Sequence, residues 1–332
     1  MTGGTDADDD ARSGGIAADD PGIEDDGREI IVEKRHKRVQ RWRIARAVRR
    51  VVRDARAGAP EQAAFEARLR GTLPAAGPTV LAACDPLYFE RFAEPFLRSL
   101  EAAGGTAGIH LHVVAEDDAI ARELEGWRAD SPRLSWTMEA DSDAVDALAF
   151  RTVYHTAARF LVAPTVRSGT GAPVLCLDID SLARRDVWAP IEAGLGSRDL
   201  LIAERPERKQ ATRRTLAGTV AFGATERGGL FCERLGRALR LGLGLDPLYH
   251  LDQIMLTYLI ERMRRGEGLE VAPVPEAFLT FDEGAVAALW SAKGWDTKDS
   301  DAFRAAQDAT LEQDATSDGG EGARDAAREG RG

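Results

Sequence analysis

The chain has 332 residues, 44% of them apolar, enough for a substantial core in one large domain or two small ones. Its formal charge of −11 comes largely from Asp-, Gly- and Ala-rich ends, so the sign says little about a ligand. Cys84, Cys176 and Cys232 lie far apart, with no CxxC and no Cys/His spacing suited to zinc. They read as reduced core residues. No leader-like opening and no run of about 18 apolar residues is present. The expectation is a soluble, cytoplasmic protein.

In chain order, residues 1–28 and 306–332 have almost nothing to bury and read as disordered acidic tails. Residues 29–74 form a basic helical segment, and 75–305 a single folded domain. Within Lys34–Arg56, Val39, Trp42, Ala45, Val48 and Val52 recur at spacings of three and four, which predicts an amphipathic helix covered in arginines. Such a helix suits an anionic membrane surface, which would make the protein peripheral at the inner face of the membrane. It equally suits a partner protein, or a solvated helix packed on its own domain. Nucleic acid is not an expected partner, because nothing else in the chain supports it.

From about residue 75, strands and helices alternate. Val80–Ala83 reads as a strand ending at Cys84-Asp85, Leu87–Leu100 as a helix, and Ile109–Val114 as a second strand. A helix over Asp118–Trp127, a strand over Leu134–Met138 and a helix over Val153–Val162 follow. The strand Val174–Leu177 comes next, in the most hydrophobic short run of the chain. Further strands are predicted at Leu200–Ala203, Thr219–Phe222, Val271, Phe278–Phe281 and Leu289-Trp290, with helices over 226–241 and 249–264. This βαβα order predicts an α/β domain with a mostly parallel sheet covered on both faces.

Asp178 and Asp180 stand at the end of that hydrophobic strand. The Asp-x-Asp spacing alone is weak, since it recurs at Asp6/Asp8, Asp8/Asp10, Asp141/Asp143 and Asp299/Asp301. Only the copy at 178 and 180 follows a predicted buried strand. Ligands of open α/β sheets bind in the crevice outside the carboxyl ends of such strands. Right-handed crossovers bring Cys84 and Asp85 to the same rim, so these too are donor-side candidates. Two carboxylates on one side of a strand repeat can share a divalent cation, Mn²⁺ or Mg²⁺.

Several segments occur in an order that resembles the GT-A-fold nucleotide-sugar glycosyltransferases, in particular bacterial members of the glycosyltransferase 8-like group. They are Val80–Cys84, Tyr154–Leu161, VLCLDID, Ala217–Val220, Leu251-Asp252-Gln253 and Leu289–Gly294. The resemblance spans about 76–303 and implies a GT-A-like single domain that moves a sugar from a nucleotide donor to a glycan, lipid or protein acceptor. It implies that Asp180 binds the metal directly and that Asp178 touches the ribose or a metal-bound water. It places Arg159 near the donor, Asp252 and Gln253 at the catalytic floor, and Lys293 and Gly294 against the diphosphate. Where the group usually supplies a late histidine as metal ligand, this chain has Ser291, and no histidine follows His250. His155 and His250 read as packed helix-edge side chains.

Two other functions compete. A haloacid dehalogenase-type phosphatase also begins with a strand and Asp-x-Asp, but there the motif opens the domain, and here about 100 residues of α/β pattern precede it. A non-catalytic scaffold that docks through the basic helix is the other.

Overall fold

The computed structural model describes residues 39, 42–51, 53–54, 60–140, 151–208, 211–244 and 250–312. Residues 1–28 and most of the predicted acidic C-terminal tail lie outside these.

An eight-stranded sheet organises the chain, in the order β1 (Arg70–Thr72), β4 (Leu134–Glu139), β3 (Gly108–Val114), β2 (Thr79–Cys84), β5 (Val174–Leu177), β8 (Thr215–Phe222), β7 (Leu200–Glu204) and β9 (Val271–Ala272). The run β4-β3-β2-β5 is parallel, and β7 pairs parallel with β9. β8 runs antiparallel between β5 and β7, and β1 antiparallel to β4. Six of the eight strands thus run in one direction, the mostly parallel sheet expected from the sequence, with β8 and the short β1 running against them. A second, three-stranded sheet joins β10 (Leu279–Thr280), β11 (Leu289–Ser291) and β6 (Ser181–Ala183).

Side chains alternate between two apolar layers, as the two-residue strand repeat requires. Leu81, Ala83, Val174, Cys176, Ile202, Val220 and Phe222 face one layer. Val80, Ala82, Cys84, Leu175, Leu177, Leu201 and Ala221 face the other. The three cysteines are free and buried, as expected.

The helix α1, over 42–51, packs Ile44, Ala47, Val48 and Val51 into the first layer. This turns the expected apolar stripe by about a third of a turn, with Val48 common to both and Val39 and Trp42 exposed. The remaining helices of the first half are α2 (Pro60–Glu66), α3 (Pro86–Tyr88), α4 (Glu94–Ala102) and α5 (Asp118–Asp130). α3 passes through a π turn, Phe89–Ala93, into α4. α6 (Arg151–Thr170) is buried along most of its length because it is packed between the sheet and α9 (Glu226–Leu243). Gly236 of α9 permits that approach: a Cβ there would sit 3.1 Å from Pro164 Cγ and 3.2 Å from the Phe160 carbonyl oxygen.

Between α6 and α9 lie α7 (Trp188–Leu195) and α8 (Ala211–Arg214), and after them come α10 (Leu251–Glu267) and α11 (Trp295–Lys298). A final helix over 301–312 takes in residues 306–312, which were expected in the C-terminal tail. Phe303 is fully buried, and Gln307 Nε2 donates to the Arg91 carbonyl at 3.2 Å. Among the described residues no helix is long and apolar enough to cross a membrane.

Candidate active site

The carboxyl ends of β2 and β5 and the first turns of α6 and α10 meet at one rim. β5 stops at Leu177, and Asp178 is tied to its neighbour strand by its amide, which donates to the Gly218 carbonyl at 3.1 Å. Gly218 is required there: a Cβ would fall 2.5 Å from Asp178 Oδ2. The missing side chain leaves the carboxylate its place. Asp180 is held next to the second sheet, where its carbonyl accepts from the Ala292 amide at 3.0 Å. The acidic pair thus bridges the two sheets.

Arg159, one helical turn beyond His155 on α6, is the hub. Its Nη1 lies 2.9 Å from Asp178 Oδ1 and its Nη2 3.7 Å from Asp252 Oδ2. Nη2 also donates to the Ala217 carbonyl at 3.1 Å. A guanidinium suits this post because its planar fork serves several acceptors at once. Its Nε is buried with no hydrogen-bond partner among the described residues.

Asp252 is buried at the start of α10. The cap position itself is held by His250, with the left-handed φ of 62° that few non-glycine residues adopt and no capping hydrogen bond from its side chain. Asp252 Oδ1 accepts from the Gln253 amide at 2.8 Å, and Gln253 Nε2 meets His250 Nδ1 at 3.1 Å. Burial pushes the Asp252 carboxyl up to about 6, and Arg159 pulls against that rise.

Asp85 caps α3 by accepting from the Tyr88 amide at 2.8 Å, and its Oδ2 lies 3.1 Å from His155 Nδ1. Burial would raise its carboxyl, but His155 and the Tyr88 amide hold it below the ordinary range. His155, which reads from sequence as a packed helix-edge residue, therefore stands at the rim, with Nε2 buried and unpartnered among the described residues. Cys84 faces the second apolar layer, where burial pushes its thiol well up. Its side chain contributes packing.

Lys293 and Gly294 lie on the loop between β11 and α11. Lys293 is exposed, with Nζ 5.5 Å from the centre of the Phe281 ring. Gly294 adopts φ 78°, a conformation that favours glycine, and starts the turn into α11. That turn delivers a different lysine. Lys298 Nζ lies 2.7 Å from Asp180 Oδ2 and 2.7 Å from the Tyr88 hydroxyl, over the Tyr88 ring. Burial lowers the affinity of Lys298 for its proton, but Asp180 and Tyr88 outweigh that and the net direction is up. Nothing in the spacing of the sequence marks Lys298, because its partners Asp180 and Tyr88 are remote in the chain.

A divalent ion shared by Asp178 and Asp180 does not fit this arrangement. Each carboxylate already faces a cation of the chain, Arg159 or Lys298. Among the described residues no group of three His, Cys, Asp or Glu side chains is disposed to hold a metal ion. Ser291 is buried in β11 opposite Ser181.

No protein-family model and no curated protein matches the chain. Solved structures do match in fold. The galactosyltransferase LgtC, in complex with donor and acceptor sugar analogs, aligns with a TM-score of 0.51 at 16% identity, over 70% of this chain and 95% of that one. The glycosyltransferase GlyE of Streptococcus pneumoniae TIGR4 aligns at 0.49 and 13% identity, over 70% of this chain and 61% of its own. The bifunctional glycosyltransferase WbbM aligns at 0.43 and 14%, and the chain spans 44% of it. The likeness to LgtC shows a GT-A-like fold for this chain.

Proposed function

We propose that this protein is a glycosyltransferase that moves a sugar from a nucleotide-diphospho-sugar donor to an acceptor hydroxyl. The observation that carries the reading is the convergence of Asp85, His155, Arg159, Asp178, Asp180 and Asp252 at the carboxyl rim of a GT-A-like sheet, where buried Arg159 Nε and His155 Nε2 stay without a partner among the described residues. Buried polar groups are normally satisfied, so such atoms at a rim point to a ligand that completes them.

In the reaction the bond from the anomeric carbon to the phosphate oxygen breaks, and its electron pair leaves with the nucleoside diphosphate. The acceptor oxygen bonds to the anomeric carbon and gives up its proton to the departing nucleoside diphosphate, which carries it away. Asp178, half exposed at the lip, suits a ribose hydroxyl. Asp252 and Gln253, fixed on the first turn of a rigid helix, suit the sugar hydroxyls near the reacting carbon. Arg159 holds both aspartates in register and supplies positive charge near the departing diphosphate. A shared Mn²⁺ or Mg²⁺, the expectation from the Asp-x-Asp spacing, has no part in this reading because both carboxylates are ion-paired.

The test is a thermal-shift and hydrolysis screen of UDP-, GDP- and dTDP-sugars on the full chain. At least one donor should raise the midpoint and be cleaved slowly to its nucleoside diphosphate, since a ligand of the native state stabilises it. A protein that neither binds nor cleaves any of them, yet engages anionic vesicles through its basic helix, is the scaffold instead.

A further inference from the structure

Resting on that reading, we propose that the cation of the Asp-x-Asp site is the ammonium of Lys298, so that a nucleoside diphosphate binds without a divalent ion. The first ground is position. Lys298 Nζ sits 2.7 Å from Oδ2 of Asp180, the carboxylate to which the resemblance gives a metal. It is held there from the other side by the Tyr88 hydroxyl at 2.7 Å, with the Tyr88 and Phe92 rings 4.6 and 5.9 Å from the ammonium. A cation over aromatic faces and beside a carboxylate is fixed by the fold.

The second ground is that the fold builds this contact from several elements. Asp85 caps α3 and so sets Tyr88. Gly294, at φ 78°, turns the chain out of β11 into α11, and the Lys298 amide bonds back to the Gly294 carbonyl at 3.2 Å. The Ala292 amide bonds to the Asp180 carbonyl at 3.0 Å, so Asp180 directly before β6 and the helix α11 that follows β11 are anchored to two strands that are themselves paired.

The third ground is cost. Lys298 and Asp180 side chains are 9% and 12% exposed. An ion entering between the aspartates would strand the ammonium in a buried place without its carboxylate, which is unfavourable. It would also find Asp178 engaged by Arg159 and no third ligand among the described residues. Arg159 and Lys298 together then present two fixed positive charges, one against each aspartate of the pair. A diphosphate arriving at the rim then meets an aspartate pair already neutralised by fixed cations, in place of two bare carboxylates, with no ion to recruit.

The experiment titrates UDP, GDP and dTDP calorimetrically onto the full chain, in EDTA, in Mn²⁺ and in Mg²⁺, and follows Mn²⁺ alone on the protein by electron paramagnetic resonance. At least one nucleotide should bind in EDTA with a Kd within about threefold of that in Mn²⁺, and Mn²⁺ alone should remain in solution. The paired change Lys298→Met with Asp180→Asn strands neither charge, and it should weaken binding in EDTA by about tenfold or more. Lys298→Arg should retain it. Nucleotide binding seen only with Mn²⁺ or Mg²⁺, or Mn²⁺ immobilised by the wild-type protein, overturns the proposal and leaves the sugar-transfer reading standing. Unchanged binding in the paired variant also overturns it. Failure of all three nucleotides in every condition overturns both.

Discussion

Two polar clusters adjoin on α6, and neighbouring residues point into them. Tyr154 enters a ladder on β3 and β4, in which His110 meets Ser135 at 2.9 Å and Thr137 at 3.0 Å, and His112 meets Thr137 at 2.9 Å and Glu139 at 3.3 Å. The Tyr154 hydroxyl donates to Glu139 at 2.7 Å, and Arg68 lies 3.5 Å from the other Glu139 oxygen. His155 enters the rim cluster of Asp85, Arg159, Asp178 and Asp252. The ladder occupies alternate positions of central strands, is buried, and has its ring nitrogens matched to hydroxyls and a carboxylate. Burial, then the neighbouring His112, lowers His110 to about 3, so that ring is neutral at physiological pH. The rim instead gathers charged groups at strand ends and keeps two buried nitrogens, Arg159 Nε and His155 Nε2, without partners among the described residues, while in the ladder only Glu139 Oε2 lacks a hydrogen bond, and it faces Arg68. A closed network specifies packing, whereas an open one at the edge of a sheet has capacity to spare for a ligand.

Disturbing the ladder should cost the most stability and touch nucleotide binding the least. Glu139→Ala leaves His112, Tyr154 and Arg68 around an empty place, and a loss of about 3 kcal/mol is expected in urea unfolding, with donor affinity unchanged in the folded protein. The rim should respond in the opposite sense. Asp252 titrates near 6 in the folded protein against 3.8 in the open chain, so the folded state holds its proton more tightly between these values. That contribution is fully present below about pH 4 and is lost as pH rises through 6. Asp252→Asn should therefore raise stability at pH 7.5 by up to about 3 kcal/mol, with the gain vanishing near pH 4, while sugar transfer falls sharply. A variant equally stable to the wild type at both pH values would show that Arg159 fully offsets the burial of Asp252.

Smaller effects separate contacts within the rim. His155→Gln should leave the unfolding midpoint nearly unchanged, because the His155–Asp85 contact is partly exposed, and should lower kcat/KM for the donor by about tenfold. Equal activity in that variant would return His155 to a packing role. The Asp-x-Asp copy at Asp299/Asp301 supplies the control. Asp299 pairs on the surface with Arg91 and Arg304, and Asp299→Ala should alter neither stability nor donor binding measurably.

The strands of the main sheet that carry β-branched and apolar runs were legible from the sequence, because two-residue alternation is set by the layers on each face. So was the position of Asp178 and Asp180, directly after the buried strand that delivers them. β1 escaped because Arg70-Gly71-Thr72 is short and exposed, and its only signal is pairing with β4. β6 escaped because Ser181–Ala183 follows the acidic pair directly and pairs with a strand far along the chain. His155 looked like any helix-edge histidine until the carboxyl end of β2 supplied Asp85. Lys293 stood out through the resemblance of its loop, whereas nothing in the sequence marks Lys298. The turn at Gly294 carries the chain one helical turn further, and the buried partner of Asp180 comes from there. Composition resembling the acidic tail hid the helix over 301–312, whose anchor is the single buried Phe303.

Hydrogen–deuterium exchange of the full chain, with and without saturating nucleoside diphosphate, tests the division between ladder and rim most directly. Protection should rise in 83–88, 155–160, 178–183 and 289–298, while the amides of 109–112 and 134–139 exchange at the same slow rate in both states. Ligand-induced protection confined to the ladder strands, with none at the rim, would contradict the account.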